Sequence, residues 1–183
     1  MISAFIVFIV GLLLDAVMSV FFQLDFLFIQ PGFVSFFAFS FWVLLNVRLS
    51  FKNRLYFTLF AAMMFEIVNY NTYWMYFFVL LILWPIFAYF SSVLRQSYLD
   101  QYILVNIMAL LWLFGQYGYM KLFSLSSMSF LTFFSRIGFL TIFVQLFVSL
   151  IAVFVVHRLD RYLLRKDMEK RRAEYVSYRG VHR

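Results

Sequence analysis

The sequence predicts an all-α protein, a polytopic membrane helix bundle of about six transmembrane helices. Three observations carry that expectation. Apolar residues make up 66% of the chain, with a mean hydropathy of +0.93. From Ile2 to His157 the sequence divides into six apolar stretches, and about 20 such residues let a helix cross a hydrocarbon core roughly 30 Å thick. Thirteen of the 15 Lys and Arg residues fall in alternate loops or in the tail. The positive-inside rule then places both termini in the cytoplasm of a multi-pass protein.

The first stretch, Ile2 to Gln23, has no basic leader and no small-residue cleavage site, so it reads as a retained helix and not a signal peptide. The second, Gly32 to Val47, opens at Pro31, where a missing N–H costs nothing in a first helical turn. The third runs from Leu55 to Val68. At 16 and 14 residues these two are short for a straight crossing. They either cross with the help of interfacial aromatics and local thinning or form a shallow hairpin. Crossing is the expectation, because it keeps Arg48, Lys52 and Arg54 cytoplasmic. The fourth, Tyr73 to Leu94, contains Pro85, which is expected to kink it statically, a hinge being the alternative. The fifth, Leu99 to Met120, follows a capping box, with Ser97 at the cap and Asp100 three residues on. The sixth, Phe133 to His157, continues as a helix into the tail and is expected to fray near Gly180. The bundle therefore occupies residues 1–157 and a basic cytoplasmic tail residues 158–183.

Charge supplies the orientation and one partner. Arg48, Lys52 and Arg54 lie between the second and third stretches, Arg95 between the fourth and fifth, and nine bases follow His157, among them Arg158, Arg161, Arg165 and Lys166. Bases at that boundary attract anionic lipid headgroups, at about 1 kcal/mol each. The net charge of +7 thus reads as a topology signal, and nucleic acid is not expected as a partner. The chain has no cysteine, which excludes disulfides, thiolate metal sites and a cysteine nucleophile.

Polar side chains inside apolar stretches are costly, and each is a candidate site. Three helices carry them at a spacing of three or four, on one face. These are Gly11, Asp15, Ser19 and Gln23; Thr58, Ala62, Glu66 and Asn69; and Gly138, Thr141, Gln145, Ser149 and Ala152. Small and polar residues on one face let helix backbones approach and hydrogen-bond, so the three faces are expected to meet. Asp15, Gln23, Glu66, Arg136 and Gln145 are the candidate intramembrane sites. An ion pair of Arg136 with Asp15 or Glu66 is the structural reading. Partner docking and a substrate or ion site are the functional ones.

Catalytic chemistry finds no foothold. The two histidines, His157 and His182, have no carboxylates at metal-ligand spacing. No Gly-x-Ser-x-Gly, HExxH or phosphate-binding glycine loop occurs. The expectation is a protein that is not an enzyme and needs no cofactor.

The architecture resembles the MreD family of rod shape-determining proteins, part of the bacterial cell-wall elongation machinery. Gln30-Pro31-Gly32-Phe33-Val34 looks like that family's proline-led opening of the second helix. Leu55 to Glu66 is similar to its small-residue helix with an acidic end, with Ala61, Ala62 and Glu66 standing where glycines and an aspartate are expected. The resemblance implies a non-enzymatic scaffold in the bacterial cytoplasmic membrane. It would control cell shape through an MreC-like membrane protein and, through it, MreB, RodA and a class B penicillin-binding protein. The implied fold is similar to the substrate-binding subunit of energy-coupling-factor transporters. Those vitamin-binding subunits are also the alternative reading of function. They dock through an Ala-x-x-x-Ala face on the first helix, where this chain has Gly11, Asp15 and Ser19.

Overall fold

The computed structural model describes residues 2–21, 34–69, 74–94 and 97–181, past residue 163 as backbone except at 165 and 168. Every regular element among them is helical: α1 (Ile2–Phe21), α2 (Phe37–Arg48), α3 (Phe51–Val68), α4 (Met75–Val93), α5 (Tyr98–Leu122), α6 (Phe130–Phe133), a π-helical turn (Phe134–Gly138) and α7 (Phe139–Val181). Four segments are long and apolar enough to cross a membrane: Ser3–Phe21, Met75–Val93, Tyr98–Leu122 and Phe130–Leu163. α3 has the length, at 18 residues, but carries Lys52 and Arg54 at one end and Glu66 at the other. α2 is apolar and has only 12 residues.

A short helix, α2, is the centre of the molecule. α2 packs on α1, α3, α5 and α7, and every residue from Ala38 to Val47 is buried. A helix apolar on all sides has no face to give to solvent or to one neighbour, and it is stable only when surrounded. The sequence FAFSFWVLLNV is of this kind. Lipid tails are as apolar as leucine, so close packing, not water expulsion, holds such a helix inside a bundle. A Cβ on Gly11 would stand 2.7 Å from the Phe41 ring and 2.8 Å from the Ala38 Cα, so α1 and α2 are in backbone-level contact there. Gly115 of α5 lets the Val79 side chain of α4 approach in the same way, at 2.8 Å.

Aromatic rings fill the space around α2. Phe39 stacks on Trp112 at 4.9 Å between centroids, Phe65 and Tyr76 each lie 5.6 Å from Trp112, and Trp42 lies 5.6 Å from Phe87. On the α1 side, Phe5 and Phe8 meet Phe57 and Phe60 edge-on. Such pairs contribute about 0.5–1.5 kcal/mol each beyond simple burial. They explain why so many aromatic residues lie inside and not only at an interfacial belt.

Several boundaries differ from expectation. The second helix, expected to open at Pro31–Gly32, begins at Phe37, and Val34 to Phe36 are not helical. Its 12 residues span about 18 Å, short of a core of about 30 Å. α3 begins four residues early, at Phe51, so that Lys52 and Arg54 lie in its first turns. α4 runs unbroken through Pro85. The capping box at α5 forms: Ser97 Oγ accepts the Asp100 N–H at 3.2 Å, and Asp100 reaches back to the Ser97 hydroxyl at 2.6 Å, not to its N–H. α7 continues through the tail to Val181, past Gly180.

Candidate functional site

Several polar residues of the bundle interior bond to α2 or to the segment leading into it. A helix leaves its first N–H groups without partners, and inside a bilayer no water can take their place. The residue before α2, Phe36, has no side chain able to cap it. Asp15 of α1 does this from across the interface. Its Oδ1 accepts the N–H of Phe37 and its Oδ2 that of Ala38, each at 2.9 Å. A carboxylate there also meets the positive end of the helix dipole. One turn before Asp15, Gly11 provides the close approach that brings the two helices within reach.

α7 fastens the same end and the middle. Thr141 Oγ1 accepts the Val34 N–H at 3.1 Å, satisfying a non-helical backbone group just ahead of α2. Gln145 Nε2 donates to Ser40 Oγ at 3.0 Å, and both residues are buried. From α3, Thr58 Oγ1 accepts the Trp42 indole N–H at 3.3 Å. Asn106 of α5 donates to Ser149 of α7 at 3.0 Å. Asp15, Thr58, Thr141 and Gln145, drawn from the three polar faces, converge on α2 and the segment leading into it, whereas Ser19 and Glu66 of the same stripes do not.

At the other end of α2 the orphan groups are carbonyls, and their partner is Arg54 of α3. Arg54 donates from Nε to the Leu49 carbonyl at 2.7 Å and from Nη2 to the Val47 carbonyl at 3.0 Å. Arg48 donates to the Val156 carbonyl at 3.3 Å and forms an ion pair with Asp160 of α7. Cations at a helix C-terminus complement its dipole. α2 is thus closed by Asp15 of α1 at one end and by Arg54 of α3 at the other, while Arg48 ties that end to α7.

The remaining candidates fall outside this arrangement. Glu66 is half-buried at the far end of α3 and accepts the Trp74 N–H at 2.7 Å. Trp74 begins α4 with φ of 62°, a left-handed conformation uncommon for a bulky residue. Arg136 is exposed in the π-helical turn. The carboxylate of Asp15 accepts the backbone N–H groups of Phe37 and Ala38, and Arg48 pairs with Asp160. Ser19 is exposed and bonds its own helix at the Ala16 carbonyl. Gln23 and Arg95 lie outside the described residues, as does the Lys166 side chain. Lys52, Arg158, Arg161 and Arg165 are exposed.

Sequence reasoning missed Asp160, Ser40 and the full role of Asn106. Asn106 and Ser40 were legible as polar residues inside apolar stretches. Asp160 was hidden among the bases of the tail. A cavity of about 60 Å³ lies beside this arrangement, between the start of α2, α5 and α7, lined by Phe36, Asn106, Leu110, Leu113, Thr141, Gln145 and neighbours. Among the described residues no three His, Asp or Glu side chains gather as metal ligands. No family model, curated protein or solved structure matches the chain.

Proposed function

We propose that this chain is a six-span membrane scaffold of the bacterial cell-wall elongation machinery, similar to MreD, with both termini cytoplasmic. It controls cell shape by holding an MreC-like membrane protein and, through it, MreB, RodA and a class B penicillin-binding protein. The observation that carries the reading is the use made of the intramembrane polar groups. Asp15, Thr58, Thr141 and Gln145 each hold α2 in place, which yields a fixed core around a short buried helix and leaves the outer faces for contact. Those faces are apolar and aromatic, as along α7 at Phe139, Phe143, Phe147 and Phe154. Helix-against-helix docking suits them, since packing and scattered polar bonds of about 0.6 kcal/mol each associate helices in lipid.

The six crossings add α2 and α3 to the four long apolar segments, in a fold similar to the substrate-binding subunits of energy-coupling-factor transporters. Their orientation is supported by two contacts. Arg48 to Asp160 and Tyr98 to Arg161 bring the α2–α3 turn, the start of α5 and the beginning of the tail to one end of the bundle. Most of the described bases lie at that end. The resemblance at Gln30 to Val34 and Leu55 to Glu66 supplies the particular machinery. A vitamin-binding role has less support, because the first helix carries Gly11, Asp15 and Ser19 in place of the Ala-x-x-x-Ala docking face of those subunits.

The test is purification of the tagged protein from its own membranes in mild detergent. An MreC-like protein should accompany it, and depletion in cells should turn rods into spheres while penicillin-binding activity persists. Recovery of the protein alone with a stoichiometric vitamin would establish the transporter reading in its place.

A further inference from the structure

The inner end of the seam between α5 and α7 holds a group of side chains that the scaffold reading leaves unused. Arg161 donates from Nε to His157 Nε2 at 2.9 Å and from Nη2 to the Tyr98 hydroxyl oxygen at 3.2 Å. The Tyr98 and His157 rings lie 4.1 Å apart between centroids, so both acceptors of Arg161 are packed against each other. An accepting ring nitrogen and a phenol oxygen bring no negative charge. Asp160 is paired with Arg48, and Asp100 accepts from the Ser97 hydroxyl. Among the described residues, Arg161 therefore has neutral partners. Arg158 and Arg165, three residues before and four after it, share its face of the helix. Arg158 is held over the Phe154 ring at 5.2 Å, at the edge of the apolar span.

The cavity lies deeper in the same seam. Of its polar wall residues, Asn106 bonds Ser149, Thr141 the Val34 N–H and Gln145 Nε2 the Ser40 hydroxyl, while the buried Gln145 Oε1 has no partner among the described residues. The rest of the lining is apolar, and it includes Leu146, which is 39% exposed, so the cavity borders the lipid-facing side. Gln145 precedes His157 by 12 residues, or about 18 Å along the helix, close to the half-thickness of about 15 Å that one leaflet's chains occupy.

We propose that this seam binds one anionic phospholipid, with its phosphate on Arg161 and the Tyr98 hydroxyl and the end of one acyl chain in the cavity. A guanidinium presents paired donors that match two phosphate oxygens, and the Tyr98 O–H, whose oxygen accepts from Arg161, is oriented to donate outward. A free phosphate satisfies the first half of the site and leaves the apolar half unfilled. The inference rests on the bundle lying in a membrane and is independent of any role in cell shape.

Native mass spectrometry of the delipidated full chain tests it, with phosphatidylglycerol, phosphatidylcholine or inorganic phosphate added. One phosphatidylglycerol should bind at least tenfold in preference to phosphatidylcholine. Arg161→Gln should lower its retention at least tenfold, while Lys52→Gln, an exposed base at the same end, should change it less than twofold. Equal losses in the two variants would mean generic attraction to bases and overturn the site. Equal binding of inorganic phosphate and phosphatidylglycerol would overturn the lipid as occupant. If Arg161→Gln fails to fold, Tyr98→Phe keeps the charge and should lower retention at least threefold; unchanged retention there also overturns the proposal.

Discussion

Asp15 and Ala38 are joined by a 2.9 Å hydrogen bond from the backbone of one helix to the carboxylate of another, and the bond places the start of α2 within the apolar layer. Asp15 is 13 residues past Ile2, about 20 Å along α1. α2, at 12 residues, measures about 18 Å from its basic end. The two lengths agree, so a helix too short to cross begins where an acid on its neighbour can receive it.

Asp15→Leu is therefore expected to destabilise the protein by about 2–6 kcal/mol, since it orphans the N–H groups of Phe37 and Ala38 at about 1–3 kcal/mol each. Asp15→Asn, which retains one acceptor, should cost about half as much. Unfolding in mixed micelles of increasing denaturing detergent measures both. Equal stability of Asp15→Leu and the natural protein would remove α2 capping from the account.

Gly11 makes the same contact possible at van der Waals range. A Cβ there would meet the Ala38 backbone at 2.8 Å, and backbone cannot rotate aside as a side chain can. Gly11→Ala should cost about 1–3 kcal/mol, the usual range for overpacking, and Gly11→Val more. Gly118, where a Cβ would meet nothing within 4 Å, is the control, and Gly118→Ala should be neutral or stabilising. A reversed order in the same unfolding assay would contradict the close approach.

The helical architecture was legible because apolar length and polar spacing survive in any register. The stripes at Gly11–Asp15, Thr58–Ala62 and Thr141–Gln145–Ser149 pointed inward as their composition requires. Their common object was not legible. α2 carries no stripe of its own, and an even apolar composition over a short run reads as a marginal span until its neighbours are known. The use of Asp15 as a cap was hidden for a related reason, since a cap is normally sought within four residues of the helix and here it is 22 residues away. The pairing of Arg48 with Asp160, 112 residues apart, has no local signature either.

That ion pair gives a third prediction. Its side chains are 24% and 33% exposed, so screening limits its contribution to about 1 kcal/mol. Asp160→Asn should cost about that much, and Arg48→Gln more, because Arg48 also holds the Val156 carbonyl. A double-mutant cycle isolates the pair, and a coupling energy indistinguishable from zero would make it incidental.

The arrangement of the two ends leads to a topology prediction. The contacts of Arg48 with Asp160 and of Arg161 with Tyr98 unite three basic or tail-proximal segments at one end, whereas Glu66 and Trp74 meet at the far end of α3. A shallow hairpin of α2 and α3 entered from outside would leave Asn53 on the outer side, while two crossings put it inside. The chain lacks cysteine, so a single introduced thiol reports its own position. In intact cells, a membrane-impermeant maleimide should label Ser127→Cys, in the exposed segment between α5 and α6, and should reach Asn53→Cys only after permeabilisation. The reverse pattern would invert the bundle. Labelling of both in intact cells would replace the crossing of α2 and α3 by the hairpin, and would remove the proposed six-span arrangement together with the MreD-like role proposed for it.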